Sequence, residues 1–180
     1  MQISLNSIST WKIKRRIKIP NSTPEPEIQA IPIKIRQYKA ADKESVHAIN
    51  QVSLEISFNY YYDLFHEREP ELFLIAEREN EIVGFILVKT GTHFDTSSSA
   101  LVYAIAVSPL HRSLGVGTRL VNAICNKLEE KQIKKFFLHV RVENIRAIQF
   151  YERLGFSKIK KIKQFYSWGD DAFRMLKYID

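Results

Sequence analysis

Hydrophobic and polar positions alternate with two different periods along residues 33–180, and the two periods separate strands from helices. Two-residue alternation predicts seven strands: Ile33–Gln37, Leu72–Glu77, Ile82–Lys89, Ala100–Val107, Phe136–Val142, Phe156–Phe165 and Asp171–Ile179. Three- and four-residue spacing predicts helices. The first is capped by Asp42 and has an apolar face of Val46, Ile49, Val52 and Ile56, and the second lies in the aromatic stretch 58–65. The third and fourth are predicted over Val116–Glu130 and Asn144–Leu154.

These elements follow one another in the order β-α-α-β-β-β-α-β-α-β-β. The strand–helix–strand unit across residues 100–142 predicts a right-handed parallel crossover. The short connections elsewhere predict antiparallel neighbours. The sequence therefore predicts an α/β fold with a mixed sheet of about seven strands and helices on both faces.

The first 31 residues have a different composition from the rest of the chain. A basic segment, Trp11–Ile19, is followed by Pro20 and a stretch of Pro and Glu that reaches Pro32. Such a stretch is typical of a linker. We therefore expect an N-terminal extension over residues 1–31 and a single domain over residues 32–180, a size suited to one hydrophobic core.

A Gly-rich turn joins the fourth predicted strand to the third helix. It contains Arg112, Gly115 and Gly117, and it leaves several backbone N–H groups at a helix N-terminus. Such a turn is suited to bind a phosphate or pyrophosphate. The dinucleotide fingerprint needs a third glycine after the first strand, and the P-loop needs Gly-Lys-Ser/Thr; neither is present.

Charge and composition narrow the classes of partner. The net charge is +7, which favours anionic partners such as nucleic acid, the ribosome surface or a polyphosphorylated cofactor. The basic clusters Lys12–Lys18 and Lys158–Lys163 are either solvated surface or partner sites. No run of about 18 apolar residues predicts a membrane span, and no apolar signal core is visible, so we expect a cytoplasmic protein.

The single cysteine and the histidines argue against a metal site. Cys125 falls on the apolar side of the third predicted helix, which predicts a buried structural thiol in a reducing compartment. None of the five histidines has metal-ligand spacing. We therefore expect no metal.

Two motifs together resemble the acetyl-CoA site of the GNAT acetyltransferases. The first is Arg112-x-x-Gly115-x-Gly117, preceded by Val107-x-Pro109. The second runs from Leu138 through Asn144 and Tyr151 to Gly155-Phe156. The resemblance covers about residues 33–180. It implies a sheet splayed between its fourth and fifth strands, with acetyl-CoA as cosubstrate in the gap.

The resemblance also implies which residues hold acetyl-CoA. The strand backbone at Ile105–Val107 would pair with the pantetheine arm, and the amides of the turn would hold the pyrophosphate. The implied cofactor residues are Ile105, Ala106, Val107, Arg112, Ser113, Leu114, Gly115, Val116, Gly117, Thr118, Asn144, Tyr151 and Arg153. Helical spacing places Asn144, Ala147, Tyr151 and Leu154 on one face.

The second motif is similar to that of protein N-terminal α-amino acetyltransferases, among them the bacterial ribosomal-protein alanine enzyme and the archaeal NatA-type subunits. The resemblance implies that protein N-termini are the substrate. Alternation places His139 on the face opposite Leu138 and Val140, which makes it the candidate base unless it is a structural histidine. Tyr151 is the candidate acid, and Glu55 is a second candidate base. The candidate walls of the peptide slot are Phe58, Tyr61 and Tyr166.

Other functions stay open from the sequence. The chain could acetylate a small-molecule amine or a lysine side chain, or bind acyl-CoA without catalysis. It could also associate with the ribosome or RNA through its basic N-terminal segment. The pKa values of the two amines favour an α-amine as the acetyl acceptor. An α-amine with a pKa of about 8 is roughly one tenth neutral at pH 7, whereas a lysine amine with a pKa of about 10.4 needs a stronger base.

Overall fold

The computed structural model describes residues 32–54, 59–91 and 98–180. Its strands are β1 (Lys34–Gln37), β2 (Phe73–Arg78), β3 (Glu81–Thr90), β4 (Ser99–Val107), β5 (Lys135–Arg141), β6 (Ser157–Ile162) and β7 (Ala172–Tyr178). Its helices are α1 (Lys43–Ser53), α2 (Asn59–Arg68), α3 (Val116–Glu130) and α4 (Ile145–Arg153), and three short 3₁₀ turns lie between elements. The order of strands and helices is the predicted one. The proposed extension, residues 1–31, lies outside the described residues, so the domain boundary stays a prediction.

The seven strands form one sheet in the order β1-β2-β3-β4-β5-β7-β6. The pair β4–β5 is parallel and all the other neighbouring pairs are antiparallel. This arrangement confirms the mixed α/β sheet and the single parallel crossover through α3. Among the described residues, no helix is long and apolar enough to span a membrane.

Helices pack on both faces of the sheet, as alternation along the strands requires. In β2, Leu74 and Ala76 face a core built with α3 and α4. Phe73 and Ile75 in the same strand face a second core built with α1 and α2. The first core extends across both halves of the sheet, and the second ends at Ala104 and Ala106 of β4 (within the described part of the chain).

The start of α1 departs from the prediction in one respect. Asp42 is the residue before the helix, but its side chain makes no capping bond to α1. It accepts the backbone N–H of Lys39 at 2.8 Å and pairs with Arg36, whose Nη1 is 2.6 Å from Oδ2. The capping role predicted for Asp42 is therefore wrong, because its carboxylate is engaged by Lys39 and by Arg36 of β1. The local sequence pattern does not show these partners.

The apolar face of α1 also differs from the prediction. Val46 and Ile49 are buried as expected, whereas Val52 is 65% exposed. Because an α-helix turns about 100° per residue, Val52 lies about 120° away from Val46 around the axis. Asn50 lies much closer to Val46 and is the buried residue in its place. The remaining residue predicted on this face, Ile56, lies outside the described residues.

The sheet opens between β4 and β5. The two strands pair only at their first residues, where Ser99, Ala100 and Leu101 lie opposite Lys135, Phe136 and Phe137. Beyond this point β4 continues along β3, and β5 continues along β7. The strands therefore diverge towards the carboxyl end of β4, which is the splay implied by the resemblance.

Candidate active site

A cavity of about 740 Å³ occupies the gap where β4 and β5 diverge. Residues 102–107 of β4 form one wall, and His139–Arg141 of β5 form the other. The start of α3 closes one end, and α4 with the β6–β7 loop borders the rest. Of the residues proposed for the cofactor from the sequence, those that line the cavity are Ile105, Ala106, Val107, Arg112, Ser113, Gly115, Val116, Gly117, Thr118, Asn144, Tyr151 and Arg153.

The turn before α3 presents backbone N–H groups to this cavity. Ser113 and Gly115 both have positive φ, 66° and 78°, which bends the chain tightly at the helix start. The N–H of Arg119 donates to the carbonyl of Gly115, so the amides of Val116–Thr118 precede the first α-helical bond. Amides that have no partner within the helix bind anions at helix N-termini. Leu114 does not line the cavity and is 49% exposed, so its backbone amide is the group it can offer.

Two arginines add positive charge around the turn. Arg112 donates from Nε to the carbonyl of Val107 at 3.3 Å and from Nη2 to Ser53 Oγ at 3.4 Å. Arg146, from the start of α4, donates to Ser113 Oγ at 3.4 Å. Both side chains are therefore held at the mouth of the cavity, where they can neutralise a pyrophosphate.

Gly117 allows α3 and α4 to approach each other closely. A Cβ atom at this position would lie 3.1 Å from the Phe150 ring, which is tighter than ordinary packing. Asn144 also has a structural task, because its Oδ1 accepts the N–H of Ala147 at 3.1 Å and caps α4. The capped helix in turn carries Tyr151 into the cavity lining.

Tyr151 lies in the first core with 8% of its surface exposed, and it also lines the cavity. Burial, together with the nearby phenol of Tyr166, raises the pKa of Tyr151 above its ordinary value of about 10. The hydroxyl is therefore protonated at any working pH. It can donate a proton or a hydrogen bond but cannot act as a base.

His139 lies on the wall formed by β5, with its ring stacked on Phe165 at a centroid distance of 4.4 Å. Arg174 of β7 lies directly across from it in the sheet and donates from Nε to His139 Nε2 at 3.2 Å. Burial, and secondly the charge of Arg174, lower the pKa of His139 to about 4. The imidazole is therefore neutral at physiological pH.

Aromatic side chains of the β6–β7 loop form the remaining border. Tyr166 stacks on Trp168 at 4.8 Å and meets Phe165 edge-on at 5.0 Å. Trp168 Nε1 donates to Asp170 Oδ2 at 2.9 Å, which anchors the loop. Tyr166 lies at the cavity as proposed for the peptide slot. Of the other proposed residues, Glu55 and Phe58 lie outside the described residues, and Tyr61 lies within α2, but its side chain is not described.

Several residues that the structure places here have no role predicted from the sequence, among them Arg146, Trp168 and Arg174. Alternation in the last predicted strand carried a signal for Arg174, because it places that residue on the face opposite buried Met175. The cross-strand register that brings it to His139 was not available from the pattern.

Cys125 is not among the residues that line the cavity. Cys125 is half-buried on α3, and burial raises the pKa of its thiol, which suits the structural role proposed for it. In the described part of the chain, no group of three or more His, Cys, Asp or Glu side chains is placed to hold a metal ion.

Comparison with known proteins agrees with this geometry. Residues 38–156 match the model of the Acetyltransferase (GNAT) family. An N-alpha-acetyltransferase of Sulfurisphaera tokodaii is 32% identical over 151 residues, which cover 79% of this chain and 90% of the relative.

Solved structures extend the comparison to the fold. Ard1 from Thermoplasma volcanium is 28% identical, with a TM-score of 0.76, covering 82% of this chain and 98% of that chain. The ribosomal-protein-S18-alanine N-acetyltransferase from Escherichia coli is 22% identical, with a TM-score of 0.69, covering 83% and 95% of the two chains, and shares the fold. The two motifs, the splayed sheet and these likenesses converge: the chain belongs to the Acetyltransferase (GNAT) family.

Proposed function

We propose that this chain is a protein N-terminal acetyltransferase, which transfers the acetyl group of acetyl-CoA to the α-amino group of a protein or peptide. The observation that carries the proposal is the cleft between β4 and β5, which is lined by both a protonated Tyr151 and a weakly basic His139. The likeness to N-alpha-acetyltransferases along 79% of the chain supports the same acceptor.

The residues of the cleft fit acetyl-CoA. The amides of Val116–Thr118, with Arg112 and Arg146, would hold the pyrophosphate at the start of α3. The edge of β4 that β5 leaves uncovered would offer backbone groups to the pantetheine arm, since β4 pairs with β5 only as far as Leu101. Bound acetyl-CoA supplies a thioester carbonyl, which the neutral amine attacks directly in a ternary complex.

The reaction needs two proton transfers, and different residues are proposed for them. As the new C–N bond forms, the amine must lose one proton. The proposed acceptor is His139 Nε2, whose lone pair becomes available when the hydrogen bond from Arg174 opens, and Glu55 is the second candidate. As the C–S bond breaks, the leaving sulfur must gain one proton, and Tyr151 is the proposed donor. The pKa of the Tyr151 hydroxyl lies above its ordinary value, so the proton is present whenever it is needed.

A weak base suits an α-amine better than a lysine side chain. At pH 7 roughly a tenth of an α-amine is already neutral, compared with roughly one lysine amine in a few thousand. An imidazole with its pKa at about 4 cannot make up that difference. The alternative acceptors, lysine and small cationic amines, are therefore disfavoured by the same observation.

Acetylation of designed peptides tests the proposal. The native chain is incubated with acetyl-CoA and peptides that carry both a free N-terminus and an internal lysine, and tandem mass spectrometry locates the acetyl group. We expect product at the α-amine only, and no product from the same peptides with a formylated N-terminus.

Gly117→Trp provides the matched negative control, because the indole would occupy the space between the turn and Phe150. Tyr178→Phe, at an exposed position on β7 outside the cavity, provides the positive control. Acetyl-lysine in the formylated peptides would contradict the α-amine as acceptor. Product from Gly117→Trp at the native rate would contradict the placement of the cofactor.

We further propose that the enzyme acts in the cytoplasm, with the basic segment Lys12–Lys18 contacting ribosomal RNA, where nascent N-termini emerge. A cluster of Lys and Arg next to phosphates gives salt-dependent binding. Deleting residues 1–31 is expected to spare peptide acetylation and to weaken co-sedimentation with ribosomes at low salt. Unchanged co-sedimentation would rule out the segment as the docking element.

A further inference from the structure

His139 and Arg174 are in direct contact beside the cavity. The two residues are cross-strand partners on β5 and β7, so the sheet itself fixes their separation. Arg174 Nε lies 3.2 Å from His139 Nε2, and an arginine can only donate at that atom. Nε2 must therefore be the acceptor in this contact.

The identity of the acceptor determines where the proton of His139 resides. A neutral imidazole has one N–H and one lone pair, so a lone pair at Nε2 places the hydrogen on Nδ1. Adding a second proton would turn two donors towards each other, next to a guanidinium that stays charged. Stacking on Phe165 at 4.4 Å covers one face of the ring and limits its rotation.

The ionisable groups around His139 and its burial together favour the neutral form of its ring. The surrounding elements contribute these ionisable groups: Arg141 on β5, Lys160 on β6 opposite Arg174, Tyr103 on β4, Tyr151 on α4, and Tyr166 and Asp170 in the β6–β7 loop. Asp170 is engaged by Arg141 at 3.3 Å and by Trp168. Burial and the charge of Arg174 together lower the pKa of His139 to about 4.

We propose that Arg174 is a positioning residue that holds His139 as a neutral imidazole with its proton on Nδ1, and thereby restricts the enzyme to amines that are already neutral when they attack. This inference rests on the proposed function. Arg174 itself touches neither substrate nor cofactor in the proposal; it acts through His139.

The consequence for pH dependence follows from the sign of the shift. A histidine with a lowered pKa stays neutral from high pH down to about 4, so it does not lose or gain its proton between pH 5 and 8. In that range the rate changes because the peptide's α-amine, with a pKa of about 8, becomes protonated. The acid limb of kcat/KM therefore follows the amine of the substrate and not His139.

NMR titration of the histidine ring protons in the chain without ligands tests the contact directly. His139→Gln identifies the His139 signals by their loss. We expect no titration of His139 above about pH 5 in the native chain. In Arg174→Met the midpoint is expected to rise above its native value but to stay below the ordinary value of about 6.5. The donor and the charge of Arg174 are removed, whereas burial, the larger cause of the lowered pKa, remains.

Lys160→Met is the matched control. Lys160 lies next to Arg174 on β6 in the paired register, so the substitution removes one positive charge from the same region without touching the hydrogen bond. We expect the His139 midpoint to stay within a few tenths of its native value in this variant. Arg174→Gln serves in place of Arg174→Met if the methionine variant does not fold.

Activity gives the second readout. Arg174→Met is expected to add a second ionisation to the acid limb of kcat/KM, at the midpoint that the titration gives for His139 in this variant. At that pH its rate relative to pH 8 is expected to be about half the native ratio, and it falls further at lower pH. A native His139 midpoint near 6.5, or a midpoint that Arg174→Met leaves unchanged, would overturn the inference.

Failure of the inference and failure of the proposed function are distinguishable. The titration uses no substrate, so its result holds whichever amine is the acceptor. If only lysine is acetylated and His139 titrates near pH 4, the α-amine is rejected as the acceptor, whereas the role of the Arg174–His139 contact is retained. If α-amines are acetylated and His139 titrates near pH 6.5, the proposed function is retained. The inference that Arg174 sets the protonation state of His139 is then rejected.

Discussion

Tyr151 illustrates what a single side chain contributes at the residue scale. Its ring belongs to the first core and packs against Phe150 and Phe156, and the residue also lines the cavity. The same burial that stabilises the ring raises the pKa of the phenol and keeps its proton in place. Packing and chemistry therefore depend on the same contacts.

Removing this hydroxyl is expected to affect catalysis far more than binding. Tyr151→Phe keeps the ring and its contacts but has no proton for the leaving sulfur, so we expect kcat to fall about 100-fold. The affinity for CoA, measured by calorimetry, should change little, because the proposed anion contacts lie on the turn before α3. Tyr178→Phe, at an exposed position, is the control. A Tyr151→Phe variant with full kcat would contradict the acid role.

The residues also show where sequence reasoning ends. The motif and strand alternation were enough to select His139 and Tyr151, because both signals are local. They could not show that Arg174 reaches His139, since that contact depends on the register of two strands separated by α4 and β6. The capping role predicted for Asp42 was wrong for a related reason. Its carboxylate pairs with Arg36 of β1, and a local capping pattern does not show that partner.

At the scale of elements, α3 was predicted over its full length, Val116–Glu130. Its apolar residues keep a regular helical spacing, and Gly115 marks its start. The sixth strand was predicted too long at both ends, because Phe156 and Phe165 are aromatic residues that lie outside the paired register. Hydrophobic periodicity reports burial, whereas strand ends are set by hydrogen-bonded partners.

The turn that starts α3 depends on a left-handed backbone at Gly115, with φ of 78°. A Cβ atom there would meet nothing within 4 Å, so Gly115→Ala introduces backbone strain of about 1–2 kcal/mol without a clash. If the turn relaxes in the free protein, binding must restore it, and we expect the affinity for CoA to fall about tenfold. Isothermal titration calorimetry measures the change.

Gly91→Ala is the matched control for this strain. Gly91 also has a positive φ of 66° with open space around it, but it lies at the end of β3, outside the cavity lining. We expect Gly91→Ala to lower the unfolding temperature without changing the affinity for CoA. Equal affinities for native chain and Gly115→Ala would show that the turn does not hold the anion.

At the scale of the whole molecule, the two halves of the sheet are joined unevenly. On one face the first core is continuous from Leu74 through Ile124 to Met175, so it connects both halves. In the sheet itself, β4 and β5 share only three residue pairs, Ser99–Leu101 with Lys135–Phe137. A ligand seated in the cleft would contact both halves and would add contacts where the sheet lacks them.

We therefore expect CoA to stabilise the whole chain against heat. At a concentration of 100 times its Kd, a ligand that binds only the native state adds about 2.7 kcal/mol, which corresponds to a rise of roughly 5–10 °C in Tm for a chain of this size. The fragment 3′-phosphoadenosine 5′-diphosphate carries the anionic end without the pantetheine arm. At the same concentration it should raise Tm less, because it would engage the turn and leave the gap between β4 and β5 open. Differential scanning calorimetry compares the two ligands, with Gly117→Trp as the variant that should respond to neither. An equal rise from CoA and from the fragment would mean that the arm adds nothing, and would place it outside the splayed strands.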